Sequence, residues 1–130
     1  MALTTLRDDK NRLFVVTATG RVTFQELLQT LSETRTGDSS SYALLFDANA
    51  ATELPDSKYA RDFVARVRTL AETMPRGPAA LVAGSDAIYG ALRVYETFYE
   101  LAGIGETRTF RNVDDAVSWL RQVSPPPATE

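Results

Sequence analysis

Apolar positions along this chain follow two periods that take turns. Short runs that are apolar throughout, or at every second residue, alternate with longer stretches whose apolar residues recur at three- and four-residue steps. The first period belongs to strands and the second to helices that bury one stripe. Residues of about 3–6 and 12–19 are β-branched or apolar, and Asp8-Asp9-Lys10-Asn11 between them is a polar cluster of the kind that closes a hairpin. An opening antiparallel pair follows. Leu13-Phe14-Val15-Val16 is apolar on both alternating faces, which puts the second strand inside the sheet and leaves the first as its edge.

Thr23-Phe24-Gln25-Glu26 has the form of a capping box, in which the threonine hydroxyl accepts from the first turn and the glutamate reaches back. The helix it opens carries Phe24, Leu27, Leu28 and Leu31 on one stripe and ends at Thr36-Gly37-Asp38-Ser39-Ser40-Ser41. Tyr42-Ala43-Leu44-Leu45-Phe46 is the continuous apolar run of a buried parallel strand, and Asp47-Ala48-Asn49-Ala50-Ala51-Thr52-Glu53-Leu54-Pro55 reads as a loop. Asp56 or Ser57 caps a long second helix. Phe63, Val67, Leu70 and Met74 form its inner stripe with Tyr59 and Val64 beside it, while Arg61, Asp62, Arg66, Arg68 and Glu72 face out. Pro75-Arg76-Gly77-Pro78 stops that helix ahead of a short buried strand, Ala79-Ala80-Leu81-Val82-Ala83.

Gly84-Ser85-Asp86 turns the chain into a third helix, whose stripe of Ile88, Ala91, Leu92, Tyr95, Phe98, Tyr99 and Ala102 is the widest and most aromatic of the chain. After Gly103-Ile104-Gly105, Thr107-Arg108-Thr109-Phe110 predicts an exposed last strand. Asn112 then caps a closing helix with Val113, Ala116, Val117 and Leu120 inward. The order β-β-α-β-α-β-α-β-α predicts a single α/β domain over residues 1–121. Its mixed sheet has an N-terminal antiparallel hairpin followed by parallel βαβ units, covered by about four helices. The Pro-rich 122–130 is expected to be a flexible tail.

Composition narrows the chemistry. The chain has 130 residues, 44% of them hydrophobic and 24% charged, with net charge −3. That is the size and composition of one globular domain, and no apolar run approaches the roughly 18 residues of a membrane span. It has no histidine and no cysteine, which excludes disulfides, thiolate nucleophiles, histidine-dependent triads and Cys/His zinc sites. Arginines dominate the basic residues and are mixed with acids, so no nucleic-acid footprint is present. Met1-Ala2-Leu3-Thr4-Thr5 is not a secretory n- and h-region, so a cytoplasmic location is expected. Gly103-Ile104-Gly105 precedes a strand and lacks a third glycine, and Gly84 to Gly90 fits neither a phosphate loop nor a nucleophile elbow. No cofactor is expected.

Three parts of the chain together resemble a known family. They are Phe46-Asp47 at the end of the third strand, the segment from Ala80-Leu81-Val82-Ala83-Gly84-Ser85-Asp86 through Tyr95, and the closing Phe110-Arg111-Asn112-Val113-Asp114-Asp115-Ala116-Val117-Ser118-Trp119-Leu120. In this order they resemble the SpoIIAA-like branch of the STAS superfamily, over residues of about 12 to 121. The resemblance implies a STAS-like fold and a binding or regulatory role. Some bacterial STAS domains antagonise anti-sigma factors and switch partners when a serine in an Asp-Ser-Ser-Gly context after the third strand is phosphorylated. Here the corresponding segment, Asn49-Ala50-Ala51-Thr52-Glu53-Leu54-Pro55, has no serine, so no phosphorylation site is expected. The likeness of this branch to lipid carriers of the CRAL-TRIO type implies a small apolar ligand as an alternative.

Candidate site residues follow from the fold. Ligands of open α/β sheets bind beyond the carboxyl ends of the strands, and the polar residues placed there are Asp47, Asn49, Thr52, Ser85 and Asp86. Asp47 and Asp86, with Glu53 or Asp56, have the oxygen chemistry of a Mg²⁺ site or of a general base. The commoner use of such residues, and the stronger reading, is as loop and helix caps. Tyr89, Arg93 and Tyr95 lie on the third helix, where Arg93 either binds an anion or pairs with Glu96 or Glu100. Tyr95, Phe98 and Tyr99 are core, cavity lining or a dimer face. The expected function is a non-catalytic binding module for a protein partner or a second copy of itself. A carrier of a small apolar or anionic, lipid-like ligand is the alternative, with Tyr89, Arg93 and Tyr95 at its mouth. A weak Mg-dependent enzyme using Asp47 and Asp86 is the third.

Overall fold

The computed structural model of the chain describes residues 2–124. In chain order it contains β1 (Leu3–Asp8), β2 (Leu13–Arg21), α1 (Phe24–Thr34), a 3₁₀ turn (Gly37–Ser41), β3 (Ala43–Glu53), α2 (Ser57–Ala71), β4 (Ala79–Val82), α3 (Asp86–Ala102), β5 (Thr107–Phe110) and α4 (Val113–Val123). The strands form one five-stranded sheet in the order β1-β2-β3-β4-β5. β1 is antiparallel to β2, and each later neighbour is parallel. The mixed α/β sheet with four helices is therefore the architecture of the chain.

Topology decides where the helices lie. Strands added in sequence on one side, through crossovers of one hand, put every crossover helix on the same face. The alternate residues Val16, Phe46 and Leu81 accordingly join a core with Leu27 of α1, Ala60, Val64 and Val67 of α2, and Ile88, Leu92, Tyr95 and Tyr99 of α3. α4 follows the last strand and is free of that constraint. It covers the opposite face, where Ala116 and Leu120 pack on Ala43, Leu45, Ala80 and Val82.

Helix starts match their caps. Thr23 and Glu26 form the reciprocal box at α1, and a second oxygen of the Glu26 carboxylate accepts from the backbone N of Ala2 at 3.0 Å, tying α1 to the start of β1. Asp56, Ser85 and Asn112 cap α2, α3 and α4. Among the described residues no helix is long and apolar enough to cross a membrane.

Four boundaries differ from the sequence expectation. Residues 47–53, read as loop, continue β3, because β2 runs on to Arg21 and supplies ladder partners for Ala50, Ala51 and Glu53 across two register shifts. Small Ala48 and Ala51 bury there without crowding. The stretch Gly37–Ser41 is a 3₁₀ turn with Ser39 and Ser40 buried. β5 is an edge strand, yet Thr109 is buried under α3, where its N–H donates to Glu96 Oε1 at 2.9 Å. α4 reaches Val123, so residues 122 and 123, expected in a tail, are helical, and 125–130 lie outside the described residues.

Candidate functional site

Polar side chains gather at both ends of the parallel strands, and the two gatherings differ in kind. At the carboxyl end Asp47 Oδ1 accepts from the backbone N and the Nδ2 of Asn49, at 3.0 and 2.9 Å. Asn49 Oδ1 accepts from Gly84 N at 2.9 Å, which ties the end of β3 to the turn after β4. Ser85 accepts from Ile88 N as the cap of α3. Asp86 Oδ1 takes Arg111 Nη1 at 2.7 Å, and the same nitrogen donates to Gly84 O at 3.2 Å. The Arg111 guanidinium lies 3.9 Å over the Tyr89 ring.

Asp47 is bonded to Asn49, Asn49 to the turn at Gly84 beside Ser85, and Asp86 and Tyr89 share Arg111, so one oxygen of each of Asp47, Asn49, Ser85 and Asp86 accepts from within the protein. Thr52 stands exposed on the extended β3. Arg93 is exposed and sits 3.6 Å from Glu96 Oε2, the carboxylate whose other oxygen receives Thr109 N. Among the described residues no three acidic side chains converge as a cation site would need. Asn49→Ala leaves the Gly84 N–H without its acceptor and should lower stability by about 1 kcal/mol, read as an earlier midpoint in urea unfolding.

The amino end of the parallel strands is different. A cavity opens between the sheet and α1, α2 and α3, floored by Phe14, Val16, Leu44, Phe46, Ala79 and Leu81 and roofed by Leu27, Leu31, Phe63, Val67, Leu92, Tyr95 and Tyr99. Its volume is about 100 Å³, well beyond the room of a single water. Its walls are almost wholly apolar. Ala79 supplies part of the room, since a small side chain there faces Leu44 across the β3–β4 pair.

Two arginines line this cavity, Arg35 just after α1 and Arg76 in the link to β4. The carboxyl ends of α1, α2 and α3 converge at this end of the sheet, and their partial negative charge and free carbonyls are suited to holding guanidinium groups. Arg76 is engaged through both Nη nitrogens: Nη1 donates to Ile104 O at 3.1 Å, Nη2 donates to Thr107 Oγ1 at 2.9 Å, and the group lies 4.3 Å from the Tyr99 ring centre. Arg35 is not. It is 8% exposed, and Nη2 donates to Met74 O at 2.7 Å, while Nε and Nη1 are buried with no hydrogen-bond partner.

Burial pushes the Arg35 guanidinium below its ordinary pKa, and the nearby charge of Arg76 adds to the effect. Burial likewise raises the phenols of Tyr95 and Tyr99, with Arg76 pulling Tyr99 the other way. Both phenols are therefore neutral hydrogen-bonding groups, and Tyr95 donates to Pro55 O at 3.1 Å.

Of the candidate residues singled out from sequence, the cavity takes Tyr95 and Tyr99. Arg35 and Arg76 were missed. One signal for Arg35 was present, since Leu27, Leu31 and Arg35 are four residues apart, so the buried stripe of α1 continues onto an arginine.

The chain has a SpoIIAA-like fold. It is similar to the crystal structure of an uncharacterized DUF3478-family protein with a SpoIIAA-like fold from Shewanella loihica PV-4, with a TM-score of 0.58 and 20% sequence identity over 92% of this chain and 92% of that one. At this identity the likeness is one of fold. No family model matches the chain. No curated protein matches it either.

Proposed function

We propose that this chain is a non-catalytic binding domain whose ligand is a small molecule with an apolar body, held between the sheet and α1–α3. The observation that carries this reading is the cavity itself. Protein interiors are packed with few voids larger than a water, whereas this one keeps a larger apolar space bounded by three strands, three helices and the link before β4. Enclosed apolar space with a few polar groups at one end is the usual form of a small-ligand site. The aromatic surplus on α3, which suggested a dimer face, supports the carrier reading instead, because Tyr95 and Tyr99 turn inward onto the cavity.

1-Decanol is a suitable neutral probe. A ligand that binds only the folded state stabilises it by about 2.7 kcal/mol at a hundredfold excess over Kd, so the melting temperature of the wild-type chain should rise with 1-decanol concentration. Leu31 lines the cavity and is only half-buried, which allows Leu31→Trp to occupy the space from the roof. That variant should fold and lose the response. A wild-type melting temperature indifferent both to 1-decanol and to its carboxylate analogue overturns the proposal.

A further inference from the structure

We propose that the ligand carries an anionic carboxylate head and that Arg35 is its seat, with the apolar body extending over Phe46, Leu81 and Leu92. This rests on the binding reading of the cavity and adds the chemical class of what enters it. The central fact is the guanidinium. Arg35 lines an apolar cavity, is more than nine-tenths buried, and has two N–H-bearing nitrogens with no acceptor. Among the described residues no carboxylate lies within ion-pair distance of it. The charge acting on it is a second cation, Arg76.

A buried charge without a counter-ion is costly to keep. Structural arginines avoid that cost by pairing, and this chain pairs the exposed Arg7, Arg93 and Arg111 while leaving the buried Arg35 unpaired. The free donors and the excess positive potential both demand the same complement, an oxyanion. The rest of the wall sets its size and valence. Arg76 has its Nη donors committed to Ile104 O and Thr107 Oγ1, so it contributes field more than hydrogen bonds. With the Nη donors of Arg76 committed, the single guanidinium charge of Arg35 balances a singly charged carboxylate, and either of its unpaired nitrogens, closed off in the ligand-free chain, meets an oxygen after a turn of the side chain. The lining beyond the arginines is apolar and aromatic, which suits a hydrocarbon body. A medium-chain fatty acid meets all of these demands.

The test compares decanoate with 1-decanol, which share a chain and differ in the head, by calorimetric titration of the wild-type chain, Arg35→Met and Arg35→Gln. Charge-assisted bonds from Arg35 should make decanoate bind the wild type at least about tenfold tighter than 1-decanol. Both variants should lose that preference while 1-decanol affinity stays within about threefold. Arg35→Gln retains a donor for Met74 O, so agreement between the two variants separates loss of the charge from loss of that link. If 1-decanol binds and decanoate binds no tighter, the anionic head is overturned and the apolar site stands. The same holds if the preference survives in both variants. If neither probe binds the wild type, the site itself is overturned.

Discussion

Arg35→Met should melt about 5 °C above the parent chain when both are free of ligand, and below it when both are saturated with decanoate. The first half follows from the charge. Arg35 is 8% exposed with a single hydrogen bond, to Met74 O. Replacing a buried charge by an apolar side chain of similar length is commonly stabilising by about 1–4 kcal/mol. Loss of the donor to Met74 O offsets about 1 kcal/mol of that. A net gain of about 1–2 kcal/mol corresponds to several degrees for a domain of this size. The direction of the Arg35 pKa agrees in sign. A base lowered by folding makes the charged form unfavourable in the folded state, so the penalty persists at every pH where the unfolded arginine is charged and is relieved only at extreme alkaline pH.

The second half follows from the cavity, because the variant has no seat for the carboxylate and gains little from decanoate. Circular dichroism melts of delipidated protein, with and without decanoate, read both halves. A variant that melts lower than the parent in both conditions makes Arg35 a structural brace.

The other large effect is expected at Gly77. A Cβ on this residue would fall on the carbonyl oxygens of Ser41 and Tyr42 and stand 2.8 Å from the Tyr42 carbonyl carbon. These are backbone atoms, which no side-chain rotation can move. Neighbouring geometry blocks retreat as well. Pro75 and Pro78 fix the backbone on either side, and Pro78 O accepts from Leu44 N at 2.9 Å where β3 meets β4.

Gly77→Ala must therefore separate the link before β4 from the turn before β3, which costs roughly 3 kcal/mol by analogy with overpacked cores. The melting temperature should fall by about 10 °C. Because Gly77 and Arg76 both line the cavity, affinity for decanoate should fall with it. Denaturant unfolding reads the stability change, and a shift within 0.5 kcal/mol of zero contradicts the close approach.

Much of the fold was legible because it is written locally. Thr23, Asp56, Ser85 and Asn112 are capping residues whose side chains answer donors two or three positions on. The stripes of α1 and α3 are periodic, and the strand-helix alternation leaves few topologies. What was not legible depends on distant partners. The stretch from Asp47 to Glu53 is rich in turn formers, yet it is strand because β2 lies alongside, and tertiary pairing overrides weak local preference.

The site follows the same division. Asp47, Asn49, Ser85 and Asp86 stand near the carboxyl end of the sheet as their positions imply, but they serve the turns and the α3 cap there: Asp47 accepts from Asn49, Asn49 from Gly84 N, Ser85 from Ile88 N and Asp86 from Arg111. Arg35 and Arg76 are separated by 41 residues and reach one cavity only through the packing of α1, α2 and α3. Nothing in the local pattern around Arg76 marks it. At Arg35 the period of α1 did, and polarity concealed it.

The most direct test of the account is a crystal structure of the chain with decanoate. It predicts a carboxylate oxygen about 2.9 Å from Arg35 Nε or Nη1, with the hydrocarbon lying between the sheet and α1–α3. Decanoate found instead at Arg111 and Tyr89, with side chains filling the cavity, contradicts it.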